Sequence, residues 1–250
     1  MRVTEVSRRA GLESPGMGDN TFHASLVALK GVQKTPRGTS LYTTRVNRPL
    51  GRIIAAGGSV LGLTPNSVTV LNGVVSFAAL IVLVCCRPTP LIGVGVGVLL
   101  IAGFALDSAD GQLARLGHSG SAKGEWFDHM LDCATKVAMH SAVLIAWYRL
   151  GRRGPILLLP LAFLLVAVLV FFGGTLVGKL REQSKLSPAE HRGPDWVRAV
   201  ILLPVDYGVV CCSFLLWGFV HPFAVVYAVL CVAHAVVLVT FSVIWYRELA

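Results

Sequence analysis

Residues 107–132 read DSADGQLARLGHSGSAKGEWFDHMLD. Four Asp, at 107, 110, 128 and 132, fall within these 26 residues of a chain that holds only 13 Asp plus Glu. An apolar run, 91–106, leads into the stretch, and another, 126–150, carries it on. Charges inside or at the edge of membrane helices are costly and mark sites. Asp107 and Asp110 are three apart and share one helix face; Asp128 and Asp132 are four apart and share one face of the next helix. A turn over 117–124 folds the two faces against each other. Four converging carboxylates repel. Two hard divalent cations, Mg²⁺ or Mn²⁺, relieve that repulsion through oxygen ligands. Two such ions about 4 Å apart suit phosphoryl and phosphodiester chemistry.

The rest of the chain places this stretch in a membrane. Of its 250 residues, 54% are hydrophobic and 14% charged, against about 25% charged in a soluble domain. Mean hydropathy is +0.70. That excludes a water-soluble globule, and the apolar content excludes disorder over most of the length. Six Cys, with no CxxC, sit mostly in apolar runs and read as small buried hydrophobes instead of a disulfide framework.

Apolar runs predict six membrane helices, at 67–86, 91–106, 126–150, 156–177, 199–220 and 223–245. Pro160 and Pro204 lie inside two of them, as kinks. Trp196, Trp217, Trp245 and Tyr246 fall near span ends, where aromatic belts form. Residues 1–40 lack the apolar core of a signal peptide and read as a flexible cytoplasmic tail; residues 41–250 are the membrane domain. The stretch 42–63 mixes Arg45, Arg48 and Arg52 with Leu, Ile, Val and Ala, the pattern of an amphipathic juxtamembrane helix. Thr64-Pro65-Asn66 then breaks the chain before the first span. The fold class is therefore all-α: six transmembrane helices preceded by an amphipathic helix.

With six spans and the N-terminus inside, 17 of the 22 Lys and Arg lie on the inner side, and Arg87, Arg149, Arg152 and Arg153 lie outside. This bias predicts a multi-pass protein of the cell membrane with both termini and the acidic site in the cytoplasm. The net charge of +9 suits contact with anionic membrane lipids, and because the basic residues flank spans, no nucleic-acid partner is expected.

Small and basic residues complete the acidic stretch. Gly111 and Ala114 leave a notch beside the carboxylates for a flat base or sugar. Arg115, one turn past Gly111, offers a forked donor to phosphate. Gly120, Ser121 and Gly124 add flexible backbone and a hydroxyl. A lone carboxylate pair on a helix is usually a solvated face, and Gly or Ala between spans usually serves helix packing; eight such positions together are not explained that way.

Together these residues resemble the signature of the CDP-alcohol phosphatidyltransferase family, D-x2-D-G-x2-A-R-x8-G-x3-D-x3-D. Asp107, Asp110, Gly111, Ala114, Arg115, Gly124, Asp128 and Asp132 match every fixed position with spacing intact. The resemblance covers roughly residues 40–250 and includes Thr64-Pro65-Asn66-Ser-Val-Thr69 at the first span. It implies transfer of a phosphoalcohol from a CDP-alcohol, such as CDP-diacylglycerol, to an alcohol or phosphorylated alcohol, with release of CMP, in phospholipid biosynthesis. It further implies that Asp107, Asp110 and Asp128 hold two Mg²⁺ or Mn²⁺ ions with Asp132 near them. Asp132 is then the general base. Gly111, Ala114, Arg115 and Ser121 line the cytidine and diphosphate site, and Asn66 and Thr69 close it. A homodimer is implied too.

The acceptor is less legible. Lys136 either binds acceptor phosphate or pairs with a carboxylate. Lys179, Arg181, Lys185 and Arg198 form either an anion pocket or a basic loop on anionic lipid. Asp206 either meets the acceptor or pairs with Lys136, while His140 and His234 read as packing residues and His118 and His129 stay unassigned. A cation transporter or channel is the alternative from another class, but its acidic residues should lie at several depths, whereas these gather at one edge. A non-catalytic member that only binds CDP-lipid is the third reading; an altered Asp would mark it, and all four are present.

Overall fold

The structure is a computed structural model that describes residues 21–33, 39–184 and 195–249. It is helical, with no strand among the described residues. Helix α1 spans Phe22–Gly31, α2 Arg48–Val60, α3 Pro65–Cys85 and α4 Pro90–Leu116. Helix α5 spans Ala122–Arg149, α6 Leu158–Ser184, α7 Asp195–Ile201, α8 Tyr207–Ser213 and α9 Val220–Glu248.

Local sequence sets these bounds. Thr64 caps α3 by accepting from Ser67 N at 3.1 Å, with Pro65 in the first turn, and Thr89 and Pro90 repeat the device at α4. Ser121 caps α5. Between α2 and α3, Gly62 takes φ +67 and Leu63 N donates to Gly58 O at 2.9 Å, a left-handed helix end that glycine adopts without a Cβ clash.

Among the described residues, four helices are long and apolar enough to cross a membrane: α3, α4, α6 with the turn before it, and α9. Helix α5 is as long as these, at 28 residues, but its first half carries the charges of the acidic motif. The predicted fifth span is not one helix. Helix α7 ends, a 3-10 turn over Leu203–Val205 follows, Asp206 caps α8, and a second 3-10 turn over Phe214–Leu216 leads to α9. Pro204 removes a backbone donor and Asp206 prefers a cap, so the apolar run there is folded into short pieces.

Two apolar cores result. One joins α3–α6, α8 and α9, around Trp147, Phe163, Phe214, Phe223 and Tyr227. His140 and His234 belong to its lining, as packing residues: His140 Nδ1 pairs with Tyr227 Oη at 2.6 Å and His234 Nδ1 with Leu230 O at 2.8 Å. The other core joins Leu29 of α1, Ala55 and Ala56 of α2, Val68 of α3 and Leu106, Ala109 and Leu113 of α4. It lies under the acidic motif. Close approach there uses small residues: a Cβ on Gly103 would stand 2.2 Å from Ser76 Oγ, and one on Gly51 2.7 Å from Ser108 Oγ.

Three sequence expectations change. Trp217 is 2% exposed and packs edge-on to Phe223, so it is a core residue instead of a belt residue. Cys85 and Cys86 are exposed at the end of α3, while Cys211 and Cys231 are buried; all six are free thiols. Within the predicted tail, Phe22–Gly31 is a helix whose Leu29 is fully buried. The rest of that tail, 1–20 and 34–38, lies outside the described residues. Helix α2 has a face of Gly51, Ala55, Ala56 and Gly58 turned inward, with Leu50, Ile53 and Val60 exposed, as an amphipathic juxtamembrane helix requires.

Candidate active site

Helices α4 and α5 meet at a tight end. After Leu116, Ser119 N reaches back to Ala114 O at 3.0 Å, and His118 adopts φ +47. Five residues, 117–121, link the helices, and α5 begins at Ala122. The turn brings Asp107, Asp110 and Asp128 together: one ligand atom from each lies within 4.8 Å of the others. This oxygen-only set fits a hard divalent cation, since carboxylates so close need a shared counter-charge.

Asp132 is not one of these three, although it borders Asp107. Lys136 Nζ lies 3.3 Å from its Oδ1, one turn along α5. Lys136 also sits over two rings, 4.4 Å from the Phe171 centroid and 4.9 Å from that of Tyr207. Asp107 and Asp132 share a cavity of about 10 Å³ with Asn72, Phe104, Thr135 and Tyr207, room for roughly one water.

Beside the carboxylates opens a cleft of about 890 Å³. Asn66, Thr69, Asp110, Gly111, Ala114 and Arg115 line one side, and Ser121, Gly124 and Asp128 the other. Thr69 Oγ1 donates to Asp110 Oδ2 at 2.6 Å, which fixes that carboxylate from α3. Asn66 Oδ1 lies 3.2 Å from where a Cβ on Gly124 would stand, so this glycine lets α5 approach the start of α3. The Ser121 hydroxyl lines the cleft but already accepts from Gly124 N at 3.1 Å as the α5 cap. Gly111 is open toward the cleft; the nearest atom to a Cβ there is Arg115 Nη1, at 3.4 Å.

The acceptor candidates divide. Asp206 does not meet Lys136. It accepts from Thr43 Oγ1 at 2.5 Å, from Gly208 N at 2.7 Å and from Ser40 Oγ, so its carboxylate ties the segment before α2 to the start of α8. Tyr42, in that segment, packs on the bare Gly208 backbone, and burial pushes its phenol well above the usual tyrosine range. Lys179 pairs with Glu125 at 2.5 Å and Glu182 at 3.5 Å, and Arg181 pairs with Glu248. Arg198 Nε is buried with no hydrogen-bond partner among the described residues. Lys185 lies outside the described residues.

Sequence reading missed three features. Gln112, 1% exposed, bonds Ser108 Oγ and Arg48 O from inside α4. It falls at a variable position of the acidic motif, where nothing in the sequence singles it out. His129 lies between Glu125 and Asp128, at 3.8 and 3.7 Å, and its four-residue spacing from Glu125 was the one available signal. The aromatic pair around Lys136 comes from two distant helices and had no sequence signal at all.

Twelve chains of solved structures match this one. A crystal structure of Mycobacterium tuberculosis phosphatidylinositol phosphate synthase with CDP-DAG bound has a similar fold. Its TM-score is 0.51 and its identity 23%, over 78% of this chain and 91% of that chain. No curated protein matches at a significant level. The sequence model described as CDP-alcohol phosphatidyltransferase matches residues 62–239, which hold the whole acidic motif and the cleft it borders, and the chain belongs to that family.

Proposed function

We propose that the protein transfers the phosphatidyl group of CDP-diacylglycerol to the hydroxyl of a second alcohol and releases CMP, in phospholipid synthesis. The observation that carries this reading is the convergence of Asp107, Asp110 and Asp128 at the mouth of a cleft that also holds Arg115 and the bare Gly111. A diphosphate needs cationic partners and a nucleoside needs a concave wall, and this cleft supplies both. The solved relative has CDP-DAG bound, which favours a CDP-lipid here. Such a lipid has its headgroup at the interface and its tails in the bilayer, and a cleft at the ends of apolar helices serves both.

Asp107, Asp110 and Asp128 would hold one or two Mg²⁺ or Mn²⁺ ions. Bound there, the ions supply neutralisation of the diphosphate and of the departing CMP. Arg115 orients the phosphates, and Gly111 and Ala114 admit the cytidine against the α4 backbone. Thr69 holds Asp110 in place. Asp132 takes the proton of the acceptor hydroxyl, whose oxygen attacks the lipid-bearing phosphorus. The bond from that phosphorus to the CMP oxygen breaks, and CMP leaves with the electron pair. Lys136, Phe171 and Tyr207 bound the acceptor side, next to Asp132. The site faces the cytoplasm in this reading, and the homodimer implied by the family completes it.

The test is CMP release by purified protein in lipid vesicles, with CDP-diacylglycerol, Mg²⁺ or Mn²⁺, and a panel including glycerol 3-phosphate, inositol, inositol 1-phosphate and serine. Release with one alcohol, lost on chelation and restored by either ion, is expected. Metal-independent release, or none with any alcohol despite tight CDP-lipid binding, sinks the reading as stated.

A further inference from the structure

We propose that helix α1, which precedes the family-matched residues 62–239, is a support behind the donor cleft that sets the orientation of Arg115 and with it the affinity for the CDP moiety. The proposal rests on the reading of Arg115 as a donor ligand. Its basis is a set of contacts that α1 makes with the part of α4 that carries the motif.

The first contact is direct. Arg115 Nε donates to Val32 O at 3.0 Å, across 83 residues of sequence. Val32 is the C-cap of α1, where backbone carbonyls point outward and the helix dipole is negative, a favourable seat for a guanidinium. A guanidinium is planar, so fixing Nε on one side fixes where its two terminal nitrogens point. Nη1 lies beside Gly111, at the notch in the cleft. One edge of the fork is thus used by α1 and the opposite edge is presented to the ligand space.

The second contact holds α1 in register with α4. Gln33 Nε2 donates to Leu29 O at 2.7 Å and to Gln112 Oε1 at 2.8 Å. Gln112 in turn donates to Arg48 O at 3.1 Å and to Ser108 Oγ at 3.2 Å. One buried amide therefore links α1, α2 and α4 within a turn of Asp110 and Gly111. Leu29, fully buried, anchors the helix among Leu106, Ala109 and Leu113, on the α4 face behind the carboxylates. Without α1, the Arg115 fork would have no partner on its Nε side and would sample several rotamers, each lost as entropy when the diphosphate binds.

The proposal makes α1 a positioning element that acts through Arg115. Leu29→Ala and Gln33→Ala, each in the full chain in lipid, loosen α1 while leaving every cleft side chain in place. The readouts are Kd for CDP with Mg²⁺ by calorimetry, and KM for CDP-diacylglycerol and for the alcohol that turns over. Either variant is expected to weaken CDP and raise the donor KM by about fivefold to tenfold, the scale of one charge-assisted hydrogen bond, with kcat and acceptor KM within about twofold. Adding Gln33→Ala to Arg115→Ala should then cost little more than Arg115→Ala alone. Unchanged CDP affinity in Leu29→Ala, with hydrogen exchange showing the α1 amides opened, overturns the proposal. So do fully additive losses in the double variant, or equal losses in donor and acceptor KM, which mark a general stabiliser. A wild-type chain that binds CDP but consumes no alcohol defeats the transferase reading and leaves the CDP affinities to decide this one. A chain that binds no CDP with Mg²⁺ defeats both.

Discussion

Asp132 is set apart from the other three carboxylates by one neighbour. Lys136, a turn away, takes one of its oxygens, and the rings of Phe171 and Tyr207 hold that ammonium from the far side. Asp107, Asp110 and Asp128 crowd together, one ligand atom of each within 4.8 Å of the others. This contrast is what the proposed roles, Asp132 as base and the other three as ion ligands, require. Asp132→Asn keeps the shape and removes the proton acceptor. CMP release should fall by about 10²- to 10⁴-fold, while CDP with Mg²⁺ binds within a few-fold of wild type. Loss of binding in parallel with turnover would make Asp132 a ligand and end its assignment as base. The spacing of the four Asp was legible because a helix has a fixed period, and the turn between them follows from glycines. Their division of labour was not legible. Nor was the duty of Asp206, whose partners Ser40 and Thr43 lie more than 160 residues away in the chain. No local rule connects an Asp with hydroxyls so distant, so a carboxylate read as meeting either the acceptor or Lys136 proves to be a tie between two backbone segments.

At the scale of elements, apolar length gave α3, α4, α6 and α9 and failed at the fifth predicted span. Hydropathy is the same for a continuous helix and for short pieces. The discriminating residues are those with backbone roles: Pro204, the cap Asp206, and glycines at the crossings. Gly218 shows the constraint. A Cβ there would stand 2.3 Å from Pro90 N and from the Thr89 carbonyl carbon, atoms that belong to the capped start of α4 and cannot rotate away. Gly93, on the opposing surface, would meet Gly218 N at 3.0 Å. The two backbones touch where α9 is approached, and this close contact fixes the height of α8 against α4. Gly218→Ala should therefore destabilise the fold by about 1–3 kcal/mol, as overpacking does, and more if the chain cannot yield. A thermal or denaturant midpoint in detergent equal to wild type would show that the segment is looser than these distances imply. Because Tyr207 lies at the other end of α8, beside Asp132, the variant should also lose turnover before it loses CDP binding.

At the scale of the molecule, the two ends of the helices differ in charge. The end that carries the cleft has Arg45, Arg48, Arg52, Arg115, Lys123, Lys179, Arg181, Arg198 and Arg247, while the other end has Arg87, Arg149, Arg152 and Arg153. Three of the latter cluster between α5 and α6, against the usual bias, and the structure gives each a local task. Arg149 donates to Val84 O at the end of α3, Arg152 lies 5.1 Å from the Trp147 ring, and Arg153 donates to Tyr148 O while lying over its own aromatic partner. They neutralise helix C-termini and stack on rings, so they satisfy backbone carbonyls and need not be read as an orientation signal. The remaining bias is the one expected if the cleft faces the cytoplasm, as proposed. Helix α3 has 21 residues, about 31 Å at 1.5 Å per residue, which matches the hydrocarbon core and sets its two ends at opposite faces. Cys85 and Cys86 are exposed at the far end, and Ser119 is exposed in the turn beside the cleft. In intact cells a membrane-impermeant maleimide should label the native chain at Cys85 or Cys86. It should fail to label a Cys85→Ser/Cys86→Ser chain carrying Ser119→Cys until the cells are opened. The reverse pattern would invert the protein and place the cleft outside, away from the nucleotide-bearing donor, and the transferase reading would then lack its substrate.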